Sequence, residues 1–275
     1  MKMQCGGYTL DFAKKTLIMG ILNTTPDSFS DGGQYIDREQ AVKRARQMAE
    51  EGADIIDIGG ESTRPGHTPV SVEEEIARVV PVIEAVKKEV NLPISIDTYK
   101  SVTAEAAIKA GADIINDVWG AKKDPQIANV SAAYQKPIIL MHNREDRNYE
   151  DFIADAIDDL KESIRIAEKA GVPSHQMILD PGIGFAKTFE QNVEMMRHLD
   201  RIVAMGYPVL LGTSRKSMIG NILDLPADER MEGTGATVCY GIQKGCHIMR
   251  VHDVKQISRM AKVMDALNGK GGENG

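Results

Sequence analysis

Gly52-Ala-Asp-Ile-Ile-Asp57 recurs almost letter for letter as Gly111-Ala-Asp-Ile-Ile-Asn116. In both places a glycine follows a helix-like stretch, where it can take the left-handed conformation that stops a helix. The apolar run after it is short, continuous and β-branched, the pattern of a parallel strand buried on both faces. About two βα units separate the copies. Working outward, Gly171, Gly206 and Gly245 hold the same position ahead of Met177–Asp180, Val209–Gly212 and Ile248–His252. Leu17–Leu22, Ile94–Ile96 and Ile138–Met141 complete a set of eight runs, the last two preceded by Pro93 and Pro137.

Helix-like segments separate nearly all these runs. Asp37–Glu51 lines Ala41, Val42, Ala45, Met48 and Ala49 along one face, with Asp37 and Gln40 as a capping box. Ser71–Val90 opens on a second box, Ser71 with Glu74, and Pro81 is expected to kink or break it. Asp151–Ala170, Thr188–Met205 and Val254–Leu267 are amphipathic as well. Strand and helix alternating throughout predict an α/β fold, a closed (β/α)8 TIM barrel, with an open doubly wound sheet as the alternative. The expected organisation is a single domain over 1–275, with a small hairpin at 3–12, the barrel over about 16–265 and a disordered tail at 269–275.

Bulk properties narrow the function. The 275 residues are 42% hydrophobic, ample for a core. A net charge of −7 argues against non-specific nucleic-acid binding, although a few converging cations can still hold an anion. No run approaches the roughly 18 apolar residues of a membrane span, and the N-terminal MKMQCGGYTLDF has no signal-peptide core, so a cytoplasmic location is expected. Cys5, Cys239 and Cys246 lack metal or redox spacing and read as isolated thiols. The six histidines form no His-x-x-x-His pair, which speaks against zinc.

In a barrel of this kind, chemistry gathers where strands end and βα loops begin. The expected ends are polar nearly all round: Asn23, then Asp57 and Glu61, Asp97, Asn116 and Asp117, His142 and Asn143, Asp180, the run Thr213-Ser-Arg-Lys-Ser217, and Arg250 with His252. Each alone reads equally well as a cap or turn residue, but stability does not require a polar group at almost every exit. Asp97, Asn116 and Asp180 make a wall of acceptors suited to a flat heterocycle that presents N–H groups. Arg64, Lys216, Arg250 and His252, with the hydroxyls of Thr63 and Ser217, suit phosphate or carboxylate. Asn23 offers a neutral oxygen of the kind that Mg2+ bound through phosphates takes, the plainer reading being a turn before Thr24-Thr25-Pro26. Loops 23–33 and 59–71 are long and rich in Gly, Pro, Ser and Thr, and read as mobile lids. Gly182-Ile-Gly-Phe-Ala-Lys-Thr188 lacks the second glycine of a phosphate loop and carries no such assignment.

These residues carry a family resemblance. Met19-Gly-Ile-Leu-Asn-Thr-Thr-Pro-Asp-Ser-Phe-Ser-Asp-Gly-Gly33 resembles the first signature of the dihydropteroate synthases, and Gly59-Gly-Glu-Ser-Thr-Arg-Pro-Gly66 the second. Ile94-Ser-Ile-Asp97, Ile115-Asn-Asp117, Leu179–Phe185, Ser214–Ser217 and Arg250–Asp253 are similar to the later motifs in order, so the resemblance covers about residues 16–265. It implies a TIM-barrel transferase of folate biosynthesis. Such an enzyme condenses 6-hydroxymethyl-7,8-dihydropterin diphosphate with 4-aminobenzoate to give 7,8-dihydropteroate and diphosphate. The resemblance further implies that Asp97, Asn116, Asp180 and Lys216 hold the pterin, with Met141, Phe185 and Gly212 lining its pocket. Thr63, Arg64, Arg250 and His252 would hold the diphosphate and Asn23 the magnesium. Lys216 and Ser217, with the two loops, would form the aminobenzoate site, and Arg64, Asp97 and Lys216 the catalytic set. A homodimer with its interface around Gly233–Leu267 is implied too. Residues 143–149, Asn-Arg-Glu-Asp-Arg-Asn-Tyr, depart from the pattern expected of the family in being short and charged.

The amine of aminobenzoate is neutral at pH 7 and needs no strong base, so the demanding step is cleavage of the bond to diphosphate. That favours a dissociative reaction, with cations on the departing oxygens, carboxylates such as Asp97 near the pterin-methyl cation, and closed loops excluding water. Two rivals share the pocket: a methyltetrahydrofolate-dependent methyltransferase and a non-catalytic pterin-binding protein. The first would not need Arg64, Ser214–Ser217 and Arg250–His252 for a diphosphate, and the second would need neither a metal nor lid loops.

Overall fold

A computed structural model describes residues 1–24, 33–61 and 69–271, with side chains from residue 38 onward in the second stretch. An antiparallel hairpin, β1 (Lys2–Cys5) and β2 (Tyr8–Asp11), comes first. Then follow β3 (Leu17–Asn23), α1 (Gly33–Glu51), β4 (Ile55–Gly59), α2 (Val72–Glu89), β5 (Ile94–Asp97), α3 (Ser101–Ala110), β6 (Ile114–Asp117) and α4 (Gln126–Tyr134). The second half holds β7 (Ile138–Met141), α5 (Phe152–Lys169), β8 (Met177–Asp180), α6 (Phe189–Arg197), α7 (Leu199–Val203), β9 (Leu210–Leu211), α8 (Ser217–Leu223), α9 (Met231–Gln243), β10 (Ile248–Val251) and α10 (Val254–Leu267).

The parallel strands run in the order β8-β7-β6-β5-β4-β3-β10-β9. A parallel bridge from Leu179 to Val209 joins the two outer strands. The sheet is therefore a closed (β/α)8 barrel, and the open doubly wound alternative falls. The glycines read as helix stops behave as such: φ is +104° at Gly52, +118° at Gly111, +96° at Gly171, +86° at Gly206 and +95° at Gly245.

Side chains on a strand alternate between faces, and here that period sets the site. Ile55, Ile114, Ile139, Ile178, Leu210 and Ile248 belong to a small cluster inside the barrel, together with Leu17 and Met19. Met3, Cys5, Leu10 and Phe12 of the hairpin join the same cluster and plug the N-terminal end of the barrel. Two residues further along each strand, on the same face, stand Asp57, Asn116, Met141, Asp180, Gly212 and Arg250. Asp97 follows Ser95 in the same way. One apolar layer thus carries one polar layer directly above it, at the C-terminal mouth. The opposite strand faces, among them Ile18, Ile56, Ile96 and Leu140, pack against the helices in the larger core.

Two helix expectations need correction, and a third, the kink or break at Pro81, is narrowed. Gly33–Ile36 are already helical, so Asp37 lies inside α1 rather than at its cap. Pro81 does not break α2: it stands on the exposed face with Ala77, whose carbonyl loses its partner to water rather than to the core. The Ser71 half of that cap is present, Ser71 Oγ accepting from Glu74 N–H at 3.1 Å, while Glu74 pairs with Arg78. The segment 188–205 is two helices, parted at His198, whose φ of −108° and ψ of 21° leave the helical region. The lid loops lie mostly outside the described residues, as do 272–275 of the tail.

Candidate functional site

Arg250 is the centre of the polar layer. Its Nε donates to Asp57 Oδ2 at 2.6 Å and its Nη2 to Asp97 Oδ2 at 2.6 Å. Asp57 Oδ2 also accepts from Asn116 Nδ2 at 3.2 Å. One N–H of the Asn116 amide is therefore committed, which sets the sense of the amide and leaves its oxygen for a ligand's N–H groups. Asp57 Oδ1 and Asp97 Oδ1 are buried and have no hydrogen-bond partner among the described residues. Burial raises the Asp97 carboxyl well above the usual range, against the pull of Arg250 and with repulsion from Asp57. Arg250, flanked by these carboxylates, is held protonated more firmly than an ordinary arginine despite its burial.

Across the mouth lie Asp180, Phe185 and Lys216. Asp180 closes β8 beside Met141, and its Oδ1 accepts the Gly182 N–H at 2.7 Å. Burial lifts this carboxyl to about 6, opposed by the Gly182 hydrogen bond and by Lys216. Lys216 Nζ sits 4.3 Å from the centroid of the Phe185 ring. Withdrawal from water and the Arg250 charge lower its ammonium to about 8, while Asp180 and Asp97 hold it up. Gly212, next to Lys216's loop, faces Arg250: a Cβ there would lie 4.0 Å from that of Arg250.

The Ser214–Ser217 loop is strained and braced. Arg215 has φ +58°, costly for a residue with a side chain. It is held by a forked pair to Asp253, at 3.1 and 2.6 Å, and by the Thr234 hydroxyl on its N–H at 3.1 Å. Arg215 is thus a brace, which leaves Lys216 as the free cation of the loop, with Ser217 exposed beside it as the first residue of α8. Ser214 Oγ accepts the His252 backbone N–H at 3.1 Å and lies 2.9 Å from His252 Nδ1. Ser214 thus fixes both the backbone and the ring of His252, the sense of the second contact following the ring's tautomer. Burial, with the Arg250 charge, lowers His252 to about 4. Of the two roles read for this position, cation or donor, a lowered pKa favours the neutral ring.

Asn23 ends β3 with an exposed side chain, in register with Gly59. A single exposed amide oxygen at the mouth fits a hard cation that keeps most of its water and phosphate ligands. Among the described residues, no group of three or more His, Cys, Asp or Glu could hold a metal on its own. Thr63 and Arg64 lie outside the described residues. Asp97, Asn116, Met141, Asp180, Phe185, Gly212, Lys216, Arg250 and His252 are all brought to one mouth. Several other polar strand ends are structural, as the plainer reading had it. Asp117 accepts the N–H groups of Trp119 and Ala121, Asn143 donates to Val118 O, and Glu61 pairs with Lys100.

Sequence reasoning under-weighted Asp57 and missed Lys187 altogether. Asp57 was visible as a strand end, and the alternation that puts Asn116 inside puts it there too. Lys187 gave no signal beyond following a glycine-rich run. The charged loop 143–149 also finds its place: Arg144 pairs with Asp159 at 2.5 Å, and Tyr149 OH donates to Ala186 O at 2.8 Å.

The family described as pterin binding enzyme matches residues 19–252. The dihydropteroate synthase of Bacillus subtilis is 61% identical over 263 residues, covering 96% of this chain and 92% of that protein. That of Clostridium beijerinckii is 56% identical, covering 96% and 99%. A crystal structure of the Clostridium difficile dihydropteroate synthase in the presence of pteroic acid superposes with a TM-score of 0.92 at 49% identity, over 94% of this chain and 98% of that one. A Xanthomonas albilineans dihydropteroate synthase structure with 4-aminobenzoic acid gives a TM-score of 0.92 at 42% identity, over 97% and 98%.

Proposed function

The chain belongs to the dihydropteroate synthases of the pterin binding enzyme family, and on that premise we propose that it condenses 6-hydroxymethyl-7,8-dihydropterin diphosphate with 4-aminobenzoate, giving 7,8-dihydropteroate and diphosphate in folate biosynthesis. The observation that carries this reading is the single polar layer in which acceptors and cations from different strands face one another. A pterin presents a 2-amino-4-oxo edge, rich in N–H donors. Asp180 and the outward oxygen of Asn116 accept from that edge, and Lys216 donates to the ring's carbonyl and nitrogen. Met141 and Phe185 supply the apolar walls. The N–H groups of Arg250 not taken by Asp57 and Asp97, the ring of His252, and Thr63 with Arg64 receive the diphosphate.

The same residues suit a dissociative reaction. Negative charge leaving with the diphosphate moves toward Arg64, Arg250 and His252, and the Asp97 carboxylate, when ionised, favours the developing pterin-methyl cation. Ser217 and Lys216, at the start of α8, orient the carboxylate of aminobenzoate. Asn23 would hold magnesium through its side-chain oxygen, and the ion would supply further positive charge to the departing oxygens.

The decisive assay is diphosphate release from the pterin substrate with 4-aminobenzoate and Mg2+. We expect stoichiometric dihydropteroate. Pterin binding without any diphosphate release would favour the non-catalytic rival, and methyl transfer from methyltetrahydrofolate the other.

A homodimer belongs to the same reading. Ile222 and Leu223 on α8, Tyr240 on α9, and Val263 and Leu267 on α10 are exposed at 60, 42, 42, 60 and 75%. These three helices follow one another around the barrel and pack in sequence. Exposed apolar side chains so concentrated support an interface between copies. Sedimentation of the native chain tests it, and a monomer at all concentrations would refute it. A cytoplasmic location fits as well. Among the described residues, no helix is long and apolar enough to cross a membrane.

A further inference from the structure

Lys187 is 4% exposed and has no part in the substrate contacts above. Its Nζ donates to Gly182 O at 2.9 Å and Phe185 O at 3.0 Å, and lies 2.7 Å from His142 Nδ1. An ammonium has three donors, so all are taken up inside the protein. His142, fully buried, passes the connection on: its Nε2 is 2.9 Å from Asp159 Oδ2, which also accepts from Arg144 Nε at 2.5 Å. Burial, with the charge of Lys187, lowers His142 to about 4. The ring is therefore neutral, accepting at Nδ1 from Lys187 and donating at Nε2 to Asp159. Lys187 itself is pushed by burial to about 7, with Asp180 pulling the other way.

A buried ammonium is a poor choice for stability alone, since an apolar chain of similar volume fills the same space without desolvating a charge. What distinguishes this one is the identity of the carbonyls it grips. Gly182 is the residue whose N–H holds Asp180, and Phe185 is the residue whose ring backs Lys216. Gly182 can make this approach only as glycine: φ is +67°, and a Cβ would fall on the His142 carbonyl. Asn192 secures the same loop at Gly184 N, at 2.6 Å, and Tyr149 secures it at Ala186 O.

We propose that Lys187 is a positioning residue for the pterin pocket: anchored by His142 and Asp159, it clamps the carbonyls of Gly182 and Phe185 and so fixes the N–H that orients Asp180 and the ring that backs Lys216. This rests on the pterin reading of the site. Lys187 touches no substrate; it acts through Asp180 and Phe185. A role confined to folding would weaken every property of the enzyme alike, whereas positioning falls on pterin binding and is coupled to Asp180.

The test is a double-mutant cycle of Lys187→Met and Asp180→Asn, read by fluorescence titration with 6-hydroxymethylpterin, which carries the same 2-amino-4-oxo edge. Thermal melts accompany it, as does the KM for 4-aminobenzoate. Lys187→Met should weaken pterin binding about tenfold, with a clearly smaller rise in the aminobenzoate KM, transmitted through the Phe185 ring and Lys216. In the Asp180→Asn background, Lys187→Met should add almost nothing. Additive losses, or equal losses for both substrates, would overturn the proposal. If Lys187→Met does not fold, Asp159→Asn takes its place in the cycle with the same two outcomes. Failure of the unmodified enzyme to bind the pterin probe is a separate result, which removes the pterin reading and the proposal with it.

Discussion

Arg250 leans across the barrel mouth onto Asp57, with Nε 2.6 Å from Oδ2. The same carboxylate oxygen holds the Asn116 amide, so one buried acid sets both a cation and the sense of an amide.

Removing that acid should damage two properties together. Asp57→Ala leaves Arg250 with Asp97 alone, and losing one partner of a buried pair costs about 3 kcal/mol. It also lets the Asn116 amide turn, so pterin affinity should fall. Chemical denaturation and pterin titration measure the two effects, and a variant unchanged in both would contradict the arrangement.

Pterin binding should be bell-shaped in pH. Asp180, raised to about 6, must be ionised to accept N–H groups, so affinity is lost as pH falls through about 6. Lys216, lowered to about 8, must be protonated to donate, so affinity is lost again as pH rises through about 8. Lys216→Arg keeps its charge at all accessible pH. That variant should retain the acid limb and lose the basic one. An unmoved basic limb would assign it elsewhere.

Gly182→Ala should destabilise the chain by at least about 1–2 kcal/mol from backbone conformation alone. The added methyl also meets the His142 carbonyl. Thermal unfolding gives the first effect and pterin titration the second, since the Gly182 N–H is displaced from Asp180. Wild-type values for both would mean that the loop relaxes freely.

Arg64→Ala should impair turnover far more than pterin binding, by roughly 100-fold in kcat if the arginine meets charge only as diphosphate departs. Loss of pterin binding with normal turnover of bound substrate would reverse that assignment. Slow pterin cleavage without aminobenzoate is expected on the same dissociative scheme, and a strict need for the amine would favour direct displacement.

The barrel was legible because its signals are local. A glycine stop and a short branched run carry strand and helix identity within a dozen residues, and the repeat at Gly52 and Gly111 displays the unit twice. The site was legible wherever strand alternation carried it: Asp97, Asn116, Asp180 and Arg250 follow from placing their neighbours inside. What escaped depends on contacts distant in sequence. Whether His252 serves as cation or neutral donor is not told by sequence, because its burial and the Arg250 charge beside it come from the fold. Arg215 and Lys216 are adjacent and alike in charge, yet Asp253 captures one and leaves the other. Whether Pro81 kinks or breaks its helix depends on which face meets water, which sequence alone does not tell.

The ring is fastened at one point by very little. β9 is only Leu210–Leu211, and its tie to β8 is the single Leu179–Val209 bridge, with Leu179 N–H to Pro208 O at 2.9 Å. A hoop with so light a clasp should breathe there first, and backbone amides near Val209 should trade protons with deuterated solvent sooner than those of β3 and β4. Asp180 and Lys216 flank that clasp, so occupancy of the pocket should slow the trade most at this seam. A small molecule in the mouth would then act as the pin that keeps the hoop shut.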